Sequence, residues 1–137
     1  MRSAAIACLL VSAQFMLVPA TAAGLDCTRP EADMRLTRDG HLLLARSLPM
    51  PPPIAAPFAL DILICRDGAP VGGRLSFDAR MPAHGHGMNY RPRLTRRPQG
   101  EVRIEGLLLH MPGFWEATVT LREDGRTLRF TFPLRQQ

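Results

Sequence analysis

The chain has no lysine: all 17 of its Lys+Arg residues are Arg, set against 12 Asp+Glu, for a formal charge of +5. It also has no carboxylate from Ala79 to Gly100, which excludes a calcium- or magnesium-type oxygen site in that stretch. Beyond the leader described below, the only serines are Ser47 and Ser76, and neither lies in G-x-S-x-G, so a serine-nucleophile elbow is excluded. There is no C-x-x-C pair among its 3 Cys. No apolar run reaches the roughly 20 residues that a membrane-spanning helix needs. No stretch carries a convincing helical period, and 13 Pro with 11 Gly in 137 residues argue for short strands joined by turns. At this length one domain is expected.

What is there begins with an export signal. Arg2 precedes an apolar stretch over residues 4–18, Pro19 breaks it, and Ala20-Thr21-Ala22-Ala23 supplies small residues at an A-x-A-like site. This predicts a secretory signal peptide over residues 1–23 and a single domain over 24–137, in the periplasm or secreted. Cys8 leaves with the leader. Cys27 and Cys65 remain, and in an exported chain that even pair reads as a disulfide rather than a thiolate metal site.

Period-two alternation marks the strands. Trp115, Ala117, Val119 and Leu121 point one way while Glu116, Thr118 and Thr120 point the other. Asp124-Gly125 then signals a hairpin turn into Leu128, Phe130 and Phe132. Asp39-Gly40 is a second such signal, between Met34-Arg35-Leu36 and Leu42-Leu43-Leu44. Leu75, Phe77 and Ala79 alternate, as do Val102 and Ile104, and residues 58–65 read almost continuously apolar, as a strand covered on both faces. About seven short strands without a helix predict an all-β, immunoglobulin-like β-sandwich. Residues 48–57 contain five Pro and read as an extended crossover between sheet edges.

The informative segment is Met81-Pro82-Ala83-His84-Gly85-His86-Gly87-Met88, with two thioethers and two imidazoles; His110-Met111 follows further on. Hairpin-connected strands meet at common rims, so the two stretches are expected to converge. In extended backbone His84 and His86 would project to one side, about 6.6 Å apart at Cα. Thioether with imidazole suits copper, Cu(I) above all. The candidate ligands are therefore Met81, His84, His86, Met88, His110 and Met111. The plainer alternative stands beside this: Met81 continues the inward phase of its strand, and the histidines stabilise a turn. His41, beside a turn glycine, reads as solvated, as do the turn acids Asp33, Asp39, Glu123 and Asp124.

The same residues carry a family resemblance. Cys65-Arg66-Asp67-Gly68, the MPxHxHGM segment over 81–88 with Asn89-Tyr90-Arg91-Pro92, and the HMPGxW segment over 110–115 resemble the YtkA-like domain family across residues 49–121. The resemblance implies a small exported immunoglobulin-like domain, related in form to FixH-type proteins and more distantly to copper-carrying periplasmic domains.

Two functions are expected from this. In one, copper is carried and passed to an acceptor protein of the cell envelope. In the other, the His-Gly-His loop and the Trp115 region form a docking rim without metal. No carboxylate lies near the His/Met segment to act as a general base, so an enzyme is not expected. The run Arg91, Arg93, Arg96, Arg97 beside Tyr90 suits a weak contact with an anionic surface. An exported chain rarely meets nucleic acid, so that partner is not expected.

Overall fold

Three Asp-Gly dipeptides organise the hairpins. At Asp39-Gly40, Asp67-Gly68 and Asp124-Gly125 both residues have positive φ, near 47 and 75°, 53 and 77°, and 48 and 72°. Those are the angles of a type I′ turn, whose twist matches that of the flanking strands. In this computed structural model, which describes residues 24–28 and 31–136, they join β1 (Met34–Arg38) to β2 (His41–Leu48), β3 (Phe58–Arg66) to β4 (Ala69–Pro70), and β9 (Trp115–Glu123) to β10 (Arg126–Leu134). The remaining strands are β5 (Arg74–Met81), β6 (His86–Gly87), β7 (Arg93–Arg96) and β8 (Val102–Leu107). The leader expected over residues 1–23 lies outside the described residues.

The strands form two antiparallel sheets, one ordered β1-β2-β3-β8-β7 with β4 on the flank of β3, the other β10-β9-β5-β6. Within them, β2-β3-β8-β7 and β10-β9-β5 reproduce the ABED and GFC orders of a constant-type immunoglobulin sandwich. The all-β sandwich read from the sequence is the fold. It has ten strands rather than about seven, because β4, β6 and β7 are only two, two and four residues long and too short to show a period.

Leu43, Ile62, Ile104, Trp115, Val119, Phe130 and Phe132 fill the space between the sheets. A second apolar cluster, Leu44, Leu63 and Cys65, lies under Leu25, with Cys27 and Ala32 against it. This is why β3 reads as apolar on both faces: an N-terminal strap covers its second one. The strap is pinned by the Cys27–Cys65 disulfide (Cα–Cα 5.8 Å) and by Leu25 N–H donating to Glu101 Oε2 at 2.8 Å. Replacing both cysteines by serine is expected to lower unfolding stability by about 3–4 kcal/mol, from the chain entropy of the released loop. Urea unfolding checks this; a loss below about 1 kcal/mol would mean that the strap docks without its bond.

Several local expectations are corrected. The proline-rich segment does not cross between edges. It joins the neighbouring strands β2 and β3, and it lies against the β8–β9 connection through an Ile54–Leu109 bridge and an Ala55 N–H to Leu109 carbonyl bond of 2.9 Å. Prolines offer no N–H to a ladder, so the chain bulges out between paired strands instead of pairing. His41 is not solvated but 7% exposed. Its Nδ1 lies 2.9 Å from the Asp39 carbonyl and its Nε2 3.4 Å from Glu123 Oε2, a carboxylate that Arg66 Nη1 also reaches at 3.2 Å. Asp33, read as solvated, accepts the Ser47 N–H at 2.8 Å. The His41–Glu123 and Ile54–Leu109 contacts join segments distant in sequence, while Asp33 reaches Ser47 across the β1–β2 hairpin.

Candidate metal site

The first stretch is shaped by the end of β5. Inward phase carries Ala79 and Met81 into the core, where Met81 is 2% exposed. Its terminal methyl lies so close to Gly113 that a Cβ there would sit 2.8 Å away. Pro82–His84 then form a single 3-10 turn, and Gly85, in the left-handed region at φ 62°, returns the chain to β6. Met81 pairs with His86 and Arg80 with Gly87, so residues 82–85 are a hairpin loop. His84 and His86 do not both project from extended backbone as expected, because His84 ends the 3-10 turn and only His86 lies in a strand. The left-handed glycine nonetheless brings their rings to a centroid separation of 6.3 Å at 30°.

The second stretch is positioned by two aromatic residues. The Tyr90 hydroxyl donates to the Leu108 carbonyl at 2.9 Å and accepts the Leu108 N–H at 2.6 Å, clasping the segment after β6 to the end of β8. Trp115 is fully buried, and its Nε1–H donates to the Met111 carbonyl at 3.0 Å, fixing the loop that carries His110. Gln136 Nε2 donates to the same carbonyl at 3.3 Å. His110 consequently stands 6.5 Å from His86 at 87° and 5.4 Å from Trp115 at 74°, centroid to centroid. The rings of His84, His86, His110 and Trp115 form a row along one end of the sandwich.

Of the six candidate ligands, the three histidines are exposed and adjacent in that row. Met88 and Met111 are half-buried and pack against the core, and Met81 lies within it. Two imidazoles on one ion, with metal–nitrogen distances near 2.0 Å, have centroids about 5–6 Å apart. The observed spacings exceed that modestly, and among the described residues no group of three His, Cys, Asp or Glu is arranged to hold a metal ion. The donor set is soft to borderline, and the neighbouring carboxylate Glu116 is engaged by Arg80 Nη2 at 2.9 Å. Chemically, the rim offers imidazole nitrogens with thioethers behind them.

The basic run does not form one patch. Arg93 pairs with Glu105 at 3.2 Å and Arg97 with Glu101 at 3.1 Å, while Arg96 donates to the carbonyls of Val71, Gly73 and Gly100. Arg91 alone of the four has no such engagement among the described residues.

Tyr90 and the role of Trp115 as a clamp were not read from the sequence, although each is the only residue of its type and abuts the His/Met stretches. Burial raises the Tyr90 pKa above 10.0, more than the Leu108 hydrogen bond lowers it. A raised folded-state value favours the protonated phenol, so this contribution is complete below about pH 10 and is lost as pH rises past it. Tyr90→Phe is expected to destabilise by about 1–2 kcal/mol at neutral pH and to flatten this alkaline limb. Thermal melts from pH 7 to 11 check both; an unchanged limb would refute the assignment.

No protein-family model matches the chain, and no curated protein matches it by sequence. Among solved structures it is similar to a DUF4426 family protein from Pseudomonas aeruginosa PAO1, with a TM-score of 0.56 at 10% identity over 74% of this chain and 94% of that one. At that identity the likeness is one of fold: a small β-sandwich of nearly the same extent.

Proposed function

We propose that this domain binds copper as Cu(I) at the rim of His84, His86 and His110, with Met88 and Met111 as adjoining thioether donors, and serves the cell envelope as a carrier or accessory factor. The observation that supports this most is the row of three exposed imidazoles assembled from two separate stretches, at centroid spacings of 6.3 and 6.5 Å. A turn-stabilising role would not require His110 to stand beside His86. Met81 is left out of the ligand set, since its side chain is core. The resemblance of the 81–88 and 110–115 segments to the YtkA-like family, which no family model supports, is in keeping with this reading. The leader layout and the disulfide agree with an extracytoplasmic setting. No helix among the described residues is long and apolar enough to cross a membrane.

The cargo is passed on by ligand exchange, one imidazole or thioether at a time, to a donor set on the acceptor. A rim at the surface permits this; a buried cage would not. Competition against a Cu(I) chelator is expected to show one ion per chain. His84→Ala with His86→Ala should abolish it, His110→Ala should weaken it at least tenfold, and Met81→Leu should leave it unchanged. Binding that is micromolar or weaker and indifferent to the histidines would end the proposal.

A further inference from the structure

Among the described residues, the large hydrophobic side chains that stand exposed are Met50 (58%), Ile54 (39%) and Phe114 (57%). All three belong to one end of the sandwich. Met50 and Ile54 lie in the β2–β3 loop, which bridges to Leu109, and Phe114 precedes Trp115 at the start of β9. Leu134, at the end of β10, pairs with Trp115. The same end carries two cations that, among the described residues, have no carboxylate partner: Arg91 beyond Tyr90, and Arg135 after β10. The acids of these strand ends are engaged, Glu105 by Arg93, Glu116 by Arg80, and Asp33 by the Ser47 N–H. Beside Met50 a small cavity of about 160 Å³ is floored by Met34, Pro52, Pro133 and Leu134, bordered by Asp33, and has Arg135 in its lining.

We infer that this end docks on an anionic lipid surface, inserting the Met50, Ile54 and Phe114 side chains among the headgroups while Arg91 and Arg135 meet lipid phosphates. The apolar tips lie on two separate loops rather than along one groove, which suits shallow insertion into a deformable surface better than seating against a rigid protein. Unpaired cations at this end oppose a second copy of the chain and favour an anionic partner. The cavity has the matching polarity, apolar floor with a guanidinium in its lining, for the end of an acyl chain beneath a phosphate. Docking of this kind does not depend on copper, although it would bring the histidine rim to the membrane plane.

The test is co-sedimentation of the chain starting at Gly24, which carries the whole sandwich, with vesicles of phosphatidylglycerol and phosphatidylcholine in equal parts, or of phosphatidylcholine alone. Binding is expected to the anionic vesicles, at least tenfold above the zwitterionic ones, and to weaken between about 50 and 500 mM salt. Phe114→Ser should lower partitioning roughly tenfold, with Phe114→Leu restoring most of it. Arg91→Ser and Arg135→Ser should each lower it about fivefold. Circular dichroism confirms that these exposed-site variants remain folded. No preference for anionic vesicles overturns the proposal. So does binding untouched by the Phe114 and Arg substitutions, and so does a finding that these residues serve only a complex with an acidic protein.

Discussion

Trp115→Ala is expected to cost about 3–5 kcal/mol of folding stability and to dismantle the histidine rim in the same step. The indole has no exposed surface and belongs to the core between the sheets, so its removal leaves a large cavity. It also deletes the 3.0 Å bond from Nε1 to the Met111 carbonyl and the edge contact with His110 at 5.4 Å. Trp115→Phe separates the two roles. It keeps most of the apolar volume but loses the hydrogen bond, so stability should fall by only about 1–2 kcal/mol while His110 is released. Urea unfolding gives the first number, and ring NMR signals of His86 and His110 report the second. If Trp115→Phe leaves those signals unchanged, the indole does not position the loop. Since it is the only Trp, its fluorescence would also report copper binding at the proposed rim.

The second large effect is expected at Asp61. Its carboxylate, 1% exposed in β3, accepts two bonds from Arg103 in β8, at 2.6 Å from Nε and 2.7 Å from Nη2. Arg46 of β2 approaches Oδ2 at 3.8 Å from the other side. These residues pair across the ladder, Arg46 with Asp61 and Asp61 with Arg103, so one carboxylate ties three strands together. The bond to Asp61 raises the Arg103 pKa, against the opposing effect of burial. Asp61→Ala removes the buried carboxylate that accepts both Arg103 bonds and is expected to destabilise by about 3–5 kcal/mol. Replacing Arg103 by Met in the same chain should recover part of that loss, because one uncompensated charge goes with it. If the double variant is no more stable than the single one, the cost comes from packing rather than charge. The proposed copper binding should be unaffected, as Asp61 lies outside the rim.

The failures of the sequence reading are as instructive as its successes. Alternation located β9 and β10 because burial on one face of a strand imposes a period of two on adjacent residues. It missed β6 and β7, whose pairing comes from neighbours rather than from their own pattern. The solvated reading of His41 failed for the same reason: Glu123 is distant in sequence and reaches it only because β2 and β9 end together across the sandwich. At the rim, the residue types were legible, and so was the inward phase that carries Met81 into the core. That His84 ends a 3-10 turn while His86 opens β6, and that Tyr90 clasps Leu108, was not.

By itself, the order of residues determined the β class, the Asp-Gly hairpins and the pairing of Cys27 with Cys65. These depend on local alternation, on turn geometry and on having only one partner available. Tertiary structure decided the strand neighbours, the strap over the outer face, and which of six soft donors reach the surface together. Those depend on contacts between segments far apart in the chain, and a local pattern carries no record of which distant side chain will complete it.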